Sequence, residues 1–168
     1  VFKITILPLV KVISALFVHL FFLAVAILIS FAYGLSPGWY LLQVFYYALC
    51  MVLLTLGLIY ITSAVAVFFR DMSQIVNILL QIGVWATPIM WNIDSPDMRE
   101  RIPSAVMAIL KLNPMYYIVN GYRDSLINKV AFWENPGLTL YFWLFTAAAL
   151  FLGTAVFKKL RVHFADVL

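Results

Sequence analysis

Charge is what this sequence has least of. Only 11% of its 168 residues are Asp, Glu, Lys or Arg, where a soluble domain carries about 25%. None falls between Lys11 and Arg70, and none between Asp71 and Asp94. Apolar residues make up 65% of the chain, against roughly 45–50% in a soluble domain. A water-soluble core of this size could not hide so much apolar surface, so an integral membrane protein is predicted. The net charge of +4 is too diffuse for a nucleic-acid surface, and no nucleic-acid partner is expected. Cys50 is the sole cysteine and sits in an apolar run. That excludes a disulfide framework and a cysteine metal cluster, and it reads as a small buried hydrophobe. There is no G-x-x-x-x-G-K-[ST] loop, so any ATP hydrolysis has to come from a partner. No Ser/His/Asp or Cys/His arrangement has a suitable context. His19 and His163 lie far apart in the predicted topology. No cofactor, metal site or bond-cleaving chemistry is therefore predicted. There is no strand pattern and no repeat of 20–50 residues, so the chain reads as one all-α polytopic membrane domain.

What the chain does have is long apolar runs. Val12 to Tyr33 carries no formal charge over 22 residues, and about 20 residues cross the hydrocarbon core. Gly34-Leu35-Ser36-Pro37-Gly38 supplies a turn, with Trp39 and Tyr40 beside it as interfacial rings. Leu41 to Phe69 is a second run, long enough to tilt or overhang. Its Gly57, Thr62, Ser63 and Ala64 permit close helix contact. Arg70 and Asp71 then form an elbow, because an adjacent cation and anion belong at the interface rather than at membrane depth. A third span is predicted over about 73–93, interrupted in its far half by Gly83 and Pro88. The last span covers about 138–157 and ends in Lys158-Lys159-Leu160-Arg161.

Between the third and fourth spans lies a polar stretch, Asp94 to Glu134, with five acidic and five basic residues. Two short helices are predicted in it, over about 103–112 and 114–128, lying against the membrane or dipping into it. The second opens with Asn113-Pro114 as N-cap and first helical residue. Met115, Ile118, Val119, Tyr122 and Leu126 share one face, with Tyr117, Asn120, Asp124 and Asn128 opposite. The terminal basic cluster predicts a cytoplasmic C-terminus. Four spans then put six Lys/Arg and two Asp/Glu inside, and five of each outside. Val1 opens as if a helix were already under way, which predicts the C-terminal part of a longer chain.

Several segments, taken in order, resemble a known family. They are Lys3 to His19, Phe69-Arg70-Asp71, Ala86-Thr87-Pro88-Ile89, Leu112-Asn113-Pro114-Met115, Arg123, and the closing Arg161 to Leu168. The set is similar to the membrane subunit of type-2 ABC exporters that move lipid-linked polysaccharides such as O-antigen, capsule or teichoic acid. The resemblance covers nearly the whole chain and is specific for the family, though not for the polymer. It implies a permease with six membrane helices per subunit, working as a homodimer with two ABC ATPase subunits in the bacterial plasma membrane. This chain would supply the last four helices, and the two short helices would be the extracytoplasmic gate pair. The implied function is ATP-driven export of lipid-linked polysaccharide, in contact with membrane lipids and without enzymatic activity of its own.

The site residues follow from the residues and the resemblance together. Trp85, Trp91, Tyr116 and Tyr117 flank the interrupted helix and the short helix pair, where rings can stack on sugar C–H faces. Most membrane aromatics are interfacial anchors or lipid-facing filler. Gln81 and Asn77 share a helix face and read either as interhelical hydrogen-bond partners or as contacts to sugar hydroxyls in a channel. Arg123 has three open readings: it caps the outer helix, pairs with a nearby acid, or meets a cargo phosphate. Lys3, Arg70 and Asp71 are assigned to the elbow or the ATPase-coupling surface. His19 reads as a polar contact to a neighbouring helix rather than as a catalytic group. Two other functions share parts of this pattern. One is a type-2 ABC permease for a drug or small lipid. The other is a membrane enzyme acting on polyprenyl-linked sugars, for which the sequence offers no acidic cluster.

Overall fold

The computed structural model describes residues 6–69, 71–89, 91 and 95–160; Lys3, Arg70 and the closing 161–168 segment lie outside them. Among the described residues the regular structure is all helix, with no strand. The helices are α1 (Leu7–Ala32), α2 (Gln43–Ala66), α3 (Met72–Ala86), α4 (Pro96–Arg101), α5 (Ser104–Lys111), α6 (Pro114–Arg123) and α7 (Pro136–Leu160). Among the described residues, α1, α7 and the stretch Gly38–Ala66 are long and apolar enough to cross a membrane. With these, the all-α polytopic membrane class expected from the sequence is observed. Two ends of the bundle can be distinguished. The cap end holds α5, α6 and the start of α7; the elbow end holds the α2–α3 connection.

Helix boundaries differ from the sequence reading where proline acts. α1 begins at Leu7 rather than at 12, because Pro8 sits in its first turn, where no N–H is needed. It ends in a Schellman motif: Leu35 N–H donates to Ser30 O at 3.0 Å and Gly34 N–H to Phe31 O at 2.9 Å. Gly34 takes φ +75° there, a conformation that suits a residue without Cβ. The second run divides into a 3₁₀ turn at Gly38–Leu42 and α2. The third predicted span is helical only over the 15 residues of α3, about 22 Å at 1.5 Å per residue. It stops because Pro88 disfavours the helical region for Thr87, which is extended at φ −88° and ψ 125°. The six-residue α4 was not anticipated.

α2 is the hub. Its buried residues include Val44, Tyr47, Cys50, Leu54, Gly57 and Ala64. α7 lies along it through one stripe at spacings of four and three: Phe142, Thr146, Ala149, Gly153 and Phe157. The two backbones touch at Gly57 and Gly153. A Cβ on Gly153 would lie 2.5 Å from Gly57 O, and a Cβ on Gly57 would lie 2.9 Å from Ala149 C. In lipid, apolar faces gain little by meeting each other, so close van der Waals contact between small residues drives association. Gly57 therefore fulfils the sequence expectation, and its partners are Ala149 and Gly153. Toward the elbow end, Ala64 and Phe157 continue the seam with Tyr60, Val67 and Phe68 around them.

Candidate functional site

The cap end is built on α6. Asn113 caps it as predicted, accepting a bond from Met115 N–H at 3.0 Å, and Pro114 takes the first turn. The polar side of α6 and of the turn after it is covered at Tyr117 and Asp124 and open at Asn128. Tyr117 and Ile118 of α6 are buried, as are Asp124 and Leu126 in the turn that follows, so both sides of this segment have covered positions. Its polar side groups satisfy one another: Asn120 Nδ2 and Asn128 Nδ2 donate to the two Asp124 carboxylate oxygens at 2.9 and 2.7 Å. A π-helical turn, Asp124–Asn128, closes the helix, ending at Lys129 in the left-handed conformation. Gly121 lets α6 lie on α2, because a Cβ there would overlap the Tyr47 ring.

Four polar side chains form a directed hydrogen-bond chain between α2, α6 and α7. Trp143 Nε1–H donates to Tyr46 Oη at 2.9 Å. The Tyr46 and Tyr117 hydroxyls are 3.0 Å apart, and Tyr117 Oη is 3.1 Å from Thr139 Oγ1. Thr139 Oγ1 donates to the carbonyls of Phe132 and Asn135, at 3.0 and 3.1 Å. An indole can only donate and a carbonyl can only accept, so both ends impose one direction on the hydroxyls between them. Rings reinforce the chain. Tyr117 stacks on Phe142 at 4.7 Å, and Tyr46 on Phe132 at 4.6 Å.

Two further side chains tie the cap to the spans. Gln43 uses both arms of its amide: Nε2–H donates to Val130 O at 3.2 Å and Oε1 accepts from Phe132 N–H at 2.7 Å. His19 Nε2 lies 2.9 Å from the Tyr122 hydroxyl, which is the interhelical contact expected of it. Burial pushes the Tyr122 phenol above its ordinary value.

The structure separates the assigned residues by environment. Tyr116 and Tyr117 are core residues, 2% and 6% exposed; Lys111 Nζ lies 5.7 Å from the centre of the Tyr116 ring. Arg123 and Trp91 are brought together: Arg123 Nη2 donates to the carbonyls of Pro88, Ile89 and Trp91, at 3.1, 3.4 and 3.3 Å. These bonds tie α6 to the segment just past α3, a role not among the readings drawn for Arg123 from the sequence. Gln81 and Trp85 are one turn apart on α3 and exposed, Trp85 at 80%. Asp71 is exposed at the start of α3 and makes no side-chain cap bond. Lys3 and Arg70 lie outside the described residues. Between α2 and α3 an open cleft of about 260 Å³ is lined by Thr62, Ser63, Ser73 and Asn77 with Ala66, Met72 and Val76. A second cavity, beside Asp124 and Tyr117, holds about 20 Å³, room for one water.

Gln43 and Thr139 were not singled out from the sequence, and Thr87 entered only as part of the Ala86-Thr87-Pro88-Ile89 segment. An isolated Thr or Gln in an apolar run carries no periodic signal. The usable hint was position, since Gln43 and Thr139 each stand within a turn of a helix start.

This arrangement of spans, elbow, interrupted helix and capping pair coincides with a family match. The model of the ABC-2 type transporter family matches residues 2–127. The chain belongs to the ABC-2 type transporter family. The match runs from the segment before α1 through α6 and bears out the resemblance carried by the ordered motifs. Among curated proteins, the O-antigen export system permease protein RfbA of Klebsiella pneumoniae is 28% identical over 169 residues, covering 100% of this chain and 62% of the relative. The protein of the same name from Myxococcus xanthus is 27% identical over 165 residues, covering 98% of this chain and 61% of the relative. The chain thus spans about three fifths of the length of the curated relatives it matches. Family membership and the apolar helices together place it in a membrane as a multi-pass transporter component.

Proposed function

We propose that this chain is part of the membrane subunit of an ATP-driven exporter that moves lipid-linked polysaccharide of the O-antigen type across the bacterial plasma membrane. The observation that carries this reading is the end-to-end likeness to permeases named for O-antigen export. The exposed side of α3 supports it. Trp85 and Gln81 offer a stacking ring and an amide, one turn apart, and the adjoining cleft is lined with hydroxyls and an amide rather than charges. Such a surface suits neutral sugars better than a charged small molecule.

In this reading α3 is a wall of the path in a homodimer. Tyr116, Tyr117, Trp91 and Arg123 stand behind that wall and form the gate support. A separate ABC ATPase engages the cytoplasmic side at the elbow, where Asp71 is exposed and Lys3 and Arg70 are assigned. The C-terminus is cytoplasmic, and the short helices α5 and α6 lie outside.

The test uses the full-length protein with its ATPase in proteoliposomes. ATP hydrolysis is measured while lipid-linked glycan is added, comparing wild type with Trp85→Ala. The expected result is glycan-stimulated hydrolysis that Trp85→Ala weakens while basal hydrolysis is retained. Hydrolysis indifferent to every glycan would overturn the reading and favour export of a drug or small lipid.

A further inference from the structure

α3 is apolar, yet none of its side chains is buried. Its attachments lie at its ends. At the cap end, Thr87 is 3% exposed and Pro88 is fully buried, just past the last helical turn. Asn113 Nδ2 donates to Thr87 Oγ1 at 2.8 Å. The two hydrogens of Arg123 Nη2 are shared among the carbonyls of Pro88, Ile89 and Trp91. Carbonyls freed where a helix breaks at membrane depth need donors from protein, and a guanidinium supplies several from one rigid plane. α6, which carries Arg123, is fixed in turn by the Tyr117 and Tyr122 contacts to α2, α7 and α1. At the elbow end α3 is joined to α2 through the short turn after Ala66, and beside that turn a cleft of about 260 Å³ opens between the first two turns of α3 and α2.

We propose that Arg123 is the pivot of α3: with Asn113–Thr87 as a second point, it fixes the cap end of α3 to α6, while the first turns of α3 shift on the connection to α2 and change the width of the polar cleft. Arg123 is a positioning residue in this scheme and touches no cargo. The two short helices also differ in kind. α6 is part of the fixed body, whereas α5 has no buried side chain.

The test needs neither ATP nor glycan, so its failure is separable from failure of the export reading. The full-length protein is placed in lipid nanodiscs and diluted with unlabelled copies, so that only distances within one chain are read. Spin labels go on exposed positions. Val84→Cys with Leu140→Cys reports the cap end, Ile75→Cys with Leu152→Cys the elbow end, and Leu49→Cys with Leu144→Cys the α2–α7 body. Cys50 is fully buried and stays in place. The expected result is a narrow cap-end distribution and a broader elbow-end one. Arg123→Gln should broaden the cap-end pair to the elbow-end width and leave the body pair unchanged. General destabilisation would broaden the body pair too. If Arg123→Gln is not recovered as a monodisperse protein, Arg123→Lys combined with Thr87→Val is measured instead. A cap-end pair as broad as the elbow-end pair in the wild type would overturn the pivot. So would a cap-end width that neither variant changes, or a body pair that broadens together with it.

Discussion

α2 with α7, and α3, are equally plain apolar helices in sequence, yet they occupy opposite extremes of the structure. The first two lie backbone to backbone through Gly57, Ala149 and Gly153 and share buried aromatic rings. α3 buries no side chain. Hydrophobicity brings all three into the bilayer but does not decide which of them meet, because lipid tails are as good a solvent for Leu as another helix is. What separates them is small residues in register and polar groups with partners across a seam. α7 has both, while among the described residues the polar partners of the α3 segment lie beyond its last turn.

The comparison is broken most severely at the seam. Gly153→Leu places a branched side chain where even a Cβ would lie 2.5 Å from Gly57 O. A backbone atom cannot yield as a side-chain tip can, so the cost lies at the upper end of the about 1–3 kcal/mol typical of overpacking, or above it. The expected outcome is loss of the monodisperse species on size-exclusion in detergent, with Gly153→Ala already lowering the thermal midpoint. Gly83→Ala on α3 meets nothing within 4 Å. It should be neutral or slightly stabilising, since Ala favours a helix by up to about 1 kcal/mol over Gly.

The next effect sharpens the polar side of the comparison. Tyr117→Phe keeps the ring against Phe142 but removes the link between Tyr46 and Thr139. Tyr46 still accepts from Trp143 but has lost the acceptor for its own hydrogen. The expected loss is about 1–2 kcal/mol, read by denaturation in mixed micelles. Adding Tyr46→Phe should cost less than its separate value, because the two hydroxyls belong to one chain of bonds.

Legibility from sequence followed the same division. The number and order of the apolar runs were readable, because charge is excluded from them. So were the Asn113 cap and the value of Gly57, since each rests on local backbone chemistry. The end of α3 at Ala86 was only half readable. Pro88 gave the break, but the sequence could not show that Thr87 and Pro88 are buried, that Asn113 donates to Thr87, or that Arg123 donates to the Pro88 carbonyl. That contact joins residues 35 apart. The pairing of α2 with α7 was hidden for a similar reason, because Ala149 and Gly153 acquire meaning only when set against Gly57. α6 was half readable. Its two-sided pattern read as a helix lying against the membrane or dipping into it, but it did not show that Asn120 and Asn128 both bond to a buried Asp124.

A smaller loss is expected at the start of α6. Asn113→Ala removes the cap of this helix and the donor to Thr87 together. The cap alone accounts for about 0.5–2 kcal/mol. Asn113→Asp separates the two functions, since it keeps an acceptor for Met115 N–H and loses the donor to Thr87. Stability close to wild type in Asn113→Asp, with Asn113→Ala clearly lower, would assign the loss to the cap.

The smallest effect bears most directly on why α3 is bare. Leu79 is 60% exposed on α3, whereas Leu54 is 1% exposed on α2. Leu54→Ala should cost about 2–5 kcal/mol, as for other buried leucines. Leu79→Ala should fall within about 0.5 kcal/mol of wild type in the isolated subunit, as exposed substitutions do. The informative comparison is between the isolated subunit and the assembled transporter. A subunit whose stability ignores Leu79 while its assembly weakens with Leu79→Ala has α3 as a contact surface. If both ignore it, α3 faces lipid or an aqueous path, and the rings and amides it carries remain available to cargo. Thermal midpoints of the subunit and of the complex, measured over a range of protein concentrations, distinguish these outcomes, because only an interface makes the midpoint depend on concentration.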